Sequence, residues 1–172
     1  MPLRSFALTG TPGVGKTSLA NQLSLHGIHI MSVVEIANTI NAIGSIDEKM
    51  DAVEIDVEAL QSFNLESSAD KVCVDGHLSH FANVGGIVIL RCQPEELRNR
   101  LVGRGYREVK IQANVEAEMI GGPWMELNTM HLEIPVMELD TTLTPVETLC
   151  EMVLEWIEAP SSISPEQAID WL

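Results

Sequence analysis

The chain has 172 residues, 45% of them hydrophobic, which is enough for one α/β domain with its own core. Twenty-five acidic residues against 10 basic ones give a formal charge of −15, a field that repels a polyphosphate backbone and argues against general nucleic-acid binding. The same balance suits a basic protein partner, or simply a solvated acidic surface. No stretch is long enough to span a membrane, and no signal-peptide apolar run precedes the first motif. Cys73, Cys92 and Cys150, odd in number and set in apolar runs, read as reduced core thiols of a cytoplasmic protein, without metal-site spacing.

In chain order, Arg4 to Thr9 is an apolar run that suits a buried parallel strand. Gly10-Thr11-Pro12-Gly13-Val14-Gly15-Lys16-Thr17 follows, the G-x-x-x-x-G-K-[ST] phosphate loop between a strand and a helix. Its backbone N–H groups can ring a phosphate, and the following helix points its positive end there. Lys16 is placed for the β- and γ-phosphates, and Thr17 for a hydroxyl on Mg²⁺. The helix runs from Ser18 to His26 and ends at Gly27. A short strand spans Ile28 to Met31. Ser32 then caps a helix, with Glu35 closing a capping box, and that helix reaches about Ala42 before Gly44 stops it. Ser45 to Glu58 is rich in acid, including Asp51, and reads as a solvated flap with an extended piece around Val53, Ile55 and Val57. Glu58 to Phe63 begins another helix, and Asn64 to Asp70 is loop-like.

Lys71 to Asp75 is the next buried strand, and an apolar strand ending in Asp has the form of a Walker B position that holds Mg²⁺ or its waters. His77 sits where open α/β sheets bind ligands, placed either to orient a nucleophile or as an ordinary solvated loop histidine, while His80 reads as surface. Gly86 to Cys92 is a central strand. Pro94 opens a helix to Val102, and Glu108 to Ile120 forms another, which Gly121-Gly122-Pro123 stops. Trp124 to Glu133 shows no clear period. Ile134 to Leu139 is the fifth strand, and Thr144-Pro145-Val146-Glu147 reads as the capped start of the last helix, which ends at Pro160. Residues 160–172 form a tail in which Trp171 and Leu172 are available to dock.

Arg98, Arg100, Arg104, Arg107 and Lys110 make up half of the basic residues. Arg98 and Arg100 are expected on the exposed face of a helix, and Arg104, Arg107 and Lys110 straddle a glycine joint. A glycine-hinged cationic segment can fold over a nucleotide as a lid and offset charge on its phosphates. The lesser alternative is an ordinary helix corner whose arginines offset local acid.

Three stretches resemble the adenylate kinase isoenzyme 6 (CINAP-type) family and its archaeal counterparts. They are Leu8 to Thr17, Asp75-Gly76-His77, and Arg104-Gly105-Tyr106-Arg107-Glu108-Val109-Lys110-Ile111 continuing to Asn114 and Glu118. Leu139-Asp140-Thr141-Thr142 is similar to the archaeal branch. The resemblance implies a P-loop NTPase of nucleoside-monophosphate-kinase type, a five-stranded parallel sheet flanked by helices. It implies one kinase domain over residues 1–159, with a flap at about 32–53 and a lid at about 103–113. It further implies phosphate transfer from ATP to AMP with Mg²⁺, ATP hydrolysis, and a part in small-subunit ribosome maturation through a basic platform ribosomal protein. An ATP-hydrolysing assembly factor with little kinase activity is the alternative. On the matching positions Gly13, Gly15, Lys16, Thr17, Ser18 and Arg104 would hold ATP. Asp75 and Thr17 would serve Mg²⁺, and Lys16, Asp75, His77 and Arg104 would serve catalysis. The flap departs from relatives in having no arginine, with Asn38 after Ala37.

Overall fold

The computed structural model describes residues 1–48, 52–65, 69–130 and 133–172. The expectations for Asp51, for the middle of the 64–70 loop and for residues 131–132 lie outside those residues.

The chain opens with β1 (Ser5–Thr9), runs through the phosphate loop into α1 (Lys16–Ser24), and returns to β2 (His29–Ser32). Helix α1 starts at Lys16, two residues earlier than its composition suggests, because Gly15 itself takes the capping position. Next comes α2 (Val33–Thr39), whose predicted capping box forms: Glu35 N–H donates to Ser32 Oγ at 3.1 Å, and Ser32 N–H to Glu35 Oε2 at 2.9 Å. This helix ends before Ala42, since Asn41 adopts a left-handed conformation (φ 56°), one of the few side chains that do so readily. The freed residues form a hairpin of β3 (Ile43–Asp47) and β4 (Ala52–Ile55), a second, two-stranded antiparallel sheet. All of β3 is exposed, Ile43 and Ile46 included.

Asp56 caps α3 (Val57–Ser62), accepting from the N–H groups of Glu58 and Ala59. The chain continues through β5 (Val72–Asp75), a 3-10 turn at Ser79–Phe81, β6 (Ile87–Arg91), α4 (Pro94–Gly103) and α5 (Glu108–Met119). Gly121-Gly122-Pro123 does not end helical structure there. It is a joint, after which α6 (Gly122–Met130) buries Pro123, Trp124 and Leu127. The proline sits in a first turn, where its missing N–H costs nothing. Strand β7 (Val136–Asp140) and helix α7 (Val146–Glu158) close the domain. Pro145 occupies the cap position of α7 and no side chain caps it, so the box expected from Thr144 and Glu147 does not form.

The five-stranded sheet is wholly parallel, in the order β2-β5-β1-β6-β7. Parallel strands are covered on both faces, and this sheet divides two cores accordingly. Phe6, Leu8, Cys73, Val88 and Leu90 face α1, α4 and α7 through Leu19, Leu23, Leu97, Leu101 and Val153. Ala7, Val74, Ile87 and Ile89 face the opposite side, with Ile36, Leu60, Trp124 and Leu127. The three cysteines are buried free thiols, and burial pushes their pKa values up. Among the described residues no helix is long and apolar enough to cross a membrane. The strand order brings the carboxyl ends of β1 and β5 together, with Leu8 opposite Asp75. The phosphate loop and the Asp75-Gly76-His77 turn therefore share one end of the sheet, the place where such sheets bind ligands.

Candidate functional site

Three adjoining cavities lie at that end. The central one, about 230 Å³, is lined by Pro12, Gly13, Gly15, Lys16, Thr17, Asp75, Gly76, His77 and Arg104. A second, about 250 Å³, shares Gly13, Gly15 and Arg104 with it and extends past Ser18, Arg100 and Thr141 to α7. The third, about 490 Å³, shares Pro12 and His77 and lies between Val34, Val53 and Ile55 of the flap and Tyr106, Lys110, Asn114 and Pro123. Every residue that the resemblance assigns to ATP, Mg²⁺ or catalysis lines one of the first two. Ser18 is on the second, and Gly13, Gly15 and Arg104 stand on both.

Local geometry explains why glycine is required at two of these positions. Gly13 has φ 99°, and a Cβ there would stand 2.8 Å from Leu101 Cδ2 and 2.9 Å from Leu97 Cδ1, so the loop packs flush against α4. Gly76 has φ 151°, and a Cβ would meet Val33 Cγ2 at 2.8 Å, so the turn after β5 lies against the first residue of α2. Lys16 folds back and donates to the carbonyls of Gly10 (2.6 Å) and Thr11 (3.0 Å). Burial lowers its pKa to about 8, against the opposing pull of Asp75 and Glu118. Asp75 is pushed up by desolvation, with Lys16 pulling the other way. His77 stands at the open mouth, yet desolvation and then the Lys16 charge press its pKa down to about 4, which leaves a neutral imidazole at pH 7.

Asp75 Oδ1 is buried without a hydrogen-bond partner among the described residues, and the Thr17 hydroxyl borders the same cavity. A carboxylate oxygen and a hydroxyl are hard donors of the type Mg²⁺ takes. No group of three or more His, Cys, Asp or Glu side chains among the described residues offers a metal cage. Mg²⁺ needs no such cage, since it is held by one or two protein oxygens with phosphates and waters.

Several residues that the sequence left in the background hold this loop. His80 is buried, not on the surface: its Nδ1 lies 2.8 Å from Thr9 Oγ1 and its Nε2 lies 2.7 Å from Glu126 Oε2, while Thr9 also donates to the His77 carbonyl. Arg100 is half-buried, not simply solvated. It donates to Val14 O (3.3 Å), Thr141 O (2.8 Å) and Thr142 O (3.1 Å), and Thr141 itself donates to Val14 O (2.6 Å). Arg98 pairs with Glu108 at the surface. In the lid, Lys110 lies 4.5 Å over the Tyr106 ring, and Arg107 donates to Glu48 O at 2.8 Å, joining lid to flap. Glu118 gave no functional signal except as the last member of the lid motif. It is fully buried and accepts from Thr11 Oγ1 at 2.6 Å.

A family model described as an AAA domain matches residues 7–121. A protein of Methanocaldococcus jannaschii named "Putative adenylate kinase" is 33% identical, over 96% of this chain and 91% of its own. One of the same name from Archaeoglobus fulgidus is 39% identical, over 96% and 90%. A gluconokinase from Sinorhizobium meliloti 1021 has the same fold, with a TM-score of 0.56 at 15% identity over 89% of this chain and 90% of that one. The chain belongs to the P-loop family of archaeal proteins that carry the adenylate kinase name.

Proposed function

We propose that the chain is an adenylate kinase-type phosphotransferase that moves the γ-phosphate of ATP reversibly to AMP. The observation that carries this reading is the order of the cavities: a phosphate-loop cavity that shares Gly13, Gly15 and Arg104 with one neighbour and Pro12 and His77 with the other. A donor nucleoside beside α7 and an acceptor under the flap would then meet phosphate to phosphate across the loop, the in-line alignment this transfer needs. Lys16 exchanges its two backbone carbonyls for phosphate oxygens, and Arg104 brings a second cation from the lid. Mg²⁺, held through Thr17 and Asp75, supplies further charge neutralisation when bound. Among the described residues Lys110 is the one Lys or Arg on the acceptor cavity, and it takes the acceptor's phosphate where the flap has no arginine. Closure of the lid on the flap, already joined through Arg107 and Glu48, excludes water.

ADP formation from ATP plus AMP is the test. Lys16→Ala abolishes it, and Lys110→Met raises the AMP KM roughly tenfold, the loss of one charge-assisted contact, while the ATP KM holds. ATP turnover that is indifferent to AMP overturns the kinase reading. The arginine-free flap favours a second one, in which water is the acceptor, neutral His77 orients it, and a basic ribosomal protein meeting the −15 surface stimulates hydrolysis. Under that reading His77→Ala stops hydrolysis.

A further inference from the structure

Beside the phosphate loop three charged side chains are buried together. Glu118, Arg91 and Glu138 are 0, 1 and 2% exposed. Arg91 donates through Nε to Glu118 Oε1 (2.7 Å) and through Nη1 to Glu138 Oε1 (2.8 Å). Glu118 is the hub. Its Oε2 takes the Thr11 hydroxyl, and its Oε1 also takes the Cys92 N–H (3.1 Å) and the Trp171 indole N–H (3.0 Å). The last stretch of the chain closes the cluster from outside. Ile169 N–H donates to Glu138 Oε2 at 2.7 Å, Ile169 O accepts from Arg91 at 2.9 Å, and the Trp171 ring lies 5.8 Å from the guanidinium. Of these groups Thr11 alone lines one of the three cavities, and it also supplies a carbonyl to Lys16; the others stand outside the transfer chemistry.

We propose that Trp171 and Glu118 are positioning residues for the phosphate loop: segment 163–172 completes the buried cluster, Glu118 thereby fixes Thr11, and Thr11 sets the carbonyls that hold Lys16 and the loop N–H groups that receive the donor nucleotide. Two bonds lead from the Trp171 indole to the loop, through one carboxylate that has no solvent to fall back on. If the indole N–H is lost, Glu118 is under-satisfied in a dry site and shifts, and Thr11 shifts with it. By linkage, a filled loop must in turn tighten the segment. This rests on the ATP reading above.

Trp171→Phe keeps the ring beside Arg91 and deletes the donor. Calorimetric titration with Mg·ATP is expected to show affinity about 3- to 10-fold weaker, in the range of coupling within one hydrogen-bond network. Thr11→Val combined with Trp171→Phe is expected to weaken binding less than the product of the two single effects, because both act through Glu118. In the unmodified protein, saturating Mg·ATP is expected to slow hydrogen exchange at the Ile169 amide, a measurement that needs no variant to fold. Wild-type affinity in Trp171→Phe, strictly multiplicative effects in the double variant, or Ile169 exchange indifferent to nucleotide each overturns the proposal while leaving the ATP site standing. A wild-type protein that takes up no Mg·ATP overturns both.

Discussion

Replacing Arg91 by Met is expected to destabilise the protein far more than a change of one surface charge would. The guanidinium makes four hydrogen bonds: to Glu118 Oε1 and O, to Glu138 Oε1 and to Ile169 O. Methionine fills much of the volume, so the cavity term is small and the loss is mainly electrostatic. Two carboxylates buried to within 2% stay behind without their cation. Breaking a buried pair by removing one partner costs about 3–5 kcal/mol. For a domain of this size that corresponds to a fall in Tm of roughly 6–20 °C. Urea unfolding at pH 7, followed by far-UV circular dichroism, measures it, with the m-value checked for two-state behaviour. Adding Glu118→Met should recover only part of the loss, since Thr11, Cys92 and Trp171 each lose an acceptor as well. A loss below about 1 kcal/mol for Arg91→Met, the range of exposed pairs, would show that water reaches this cluster and that its burial is not what holds it.

Two other expectations follow from the site. Lys16 has a folded pKa lowered to about 8 from 10.5, so between those values the unfolded chain binds the extra proton and stability rises with pH; below about 8 the buried ammonium costs stability in full. The nucleotide-free wild type should therefore gain on Lys16→Met as pH goes from 8 to 10.5, and the variant should be at least as stable at pH 7. Parallel melting curves in that window would count against a desolvated Lys16. Gly76→Ala puts a methyl 2.8 Å from Val33 Cγ2 at a φ of 151°. It should cost about 1–3 kcal/mol in chemical denaturation and impair turnover by displacing Asp75 and His77, and a neutral result would mean that the turn can back away from α2.

The parts of this molecule that chemistry writes locally were legible in the residues. The loop from Gly10 to Thr17, the apolar strand ending at Asp75 and the Ser32–Glu35 capping box each depend on neighbours in sequence, and the parallel sheet follows from their alternation with helices. Legibility fails where a partner is distant. His80 looks like a loop residue until Thr9, 71 positions away, and Glu126 enclose it. Arg100 has the helical spacing of a solvated face, but the carbonyls of Val14 and Thr141 come to it across the fold. Glu118 carries no local sign of burial, because Thr11 and Trp171 reach it from opposite ends of the chain. Strand β3 of the flap and α6 were hidden for another reason. Asn41 reverses the chain as a glycine would, and a Gly-Gly-Pro run starts one helix as readily as it ends another.

The sheet order also has a bearing on how the molecule comes into being. Strand β1 leaves the ribosome before both of its neighbours, β5, where Ser5 meets Val72, and β6, where Ala7 meets Ile87. The phosphate loop therefore hangs from an unpaired strand until β5 and β6 have emerged. Such distant pairing is slow to nucleate. During synthesis, then, the most conspicuous motif of the protein is written well before the strands that let it take shape.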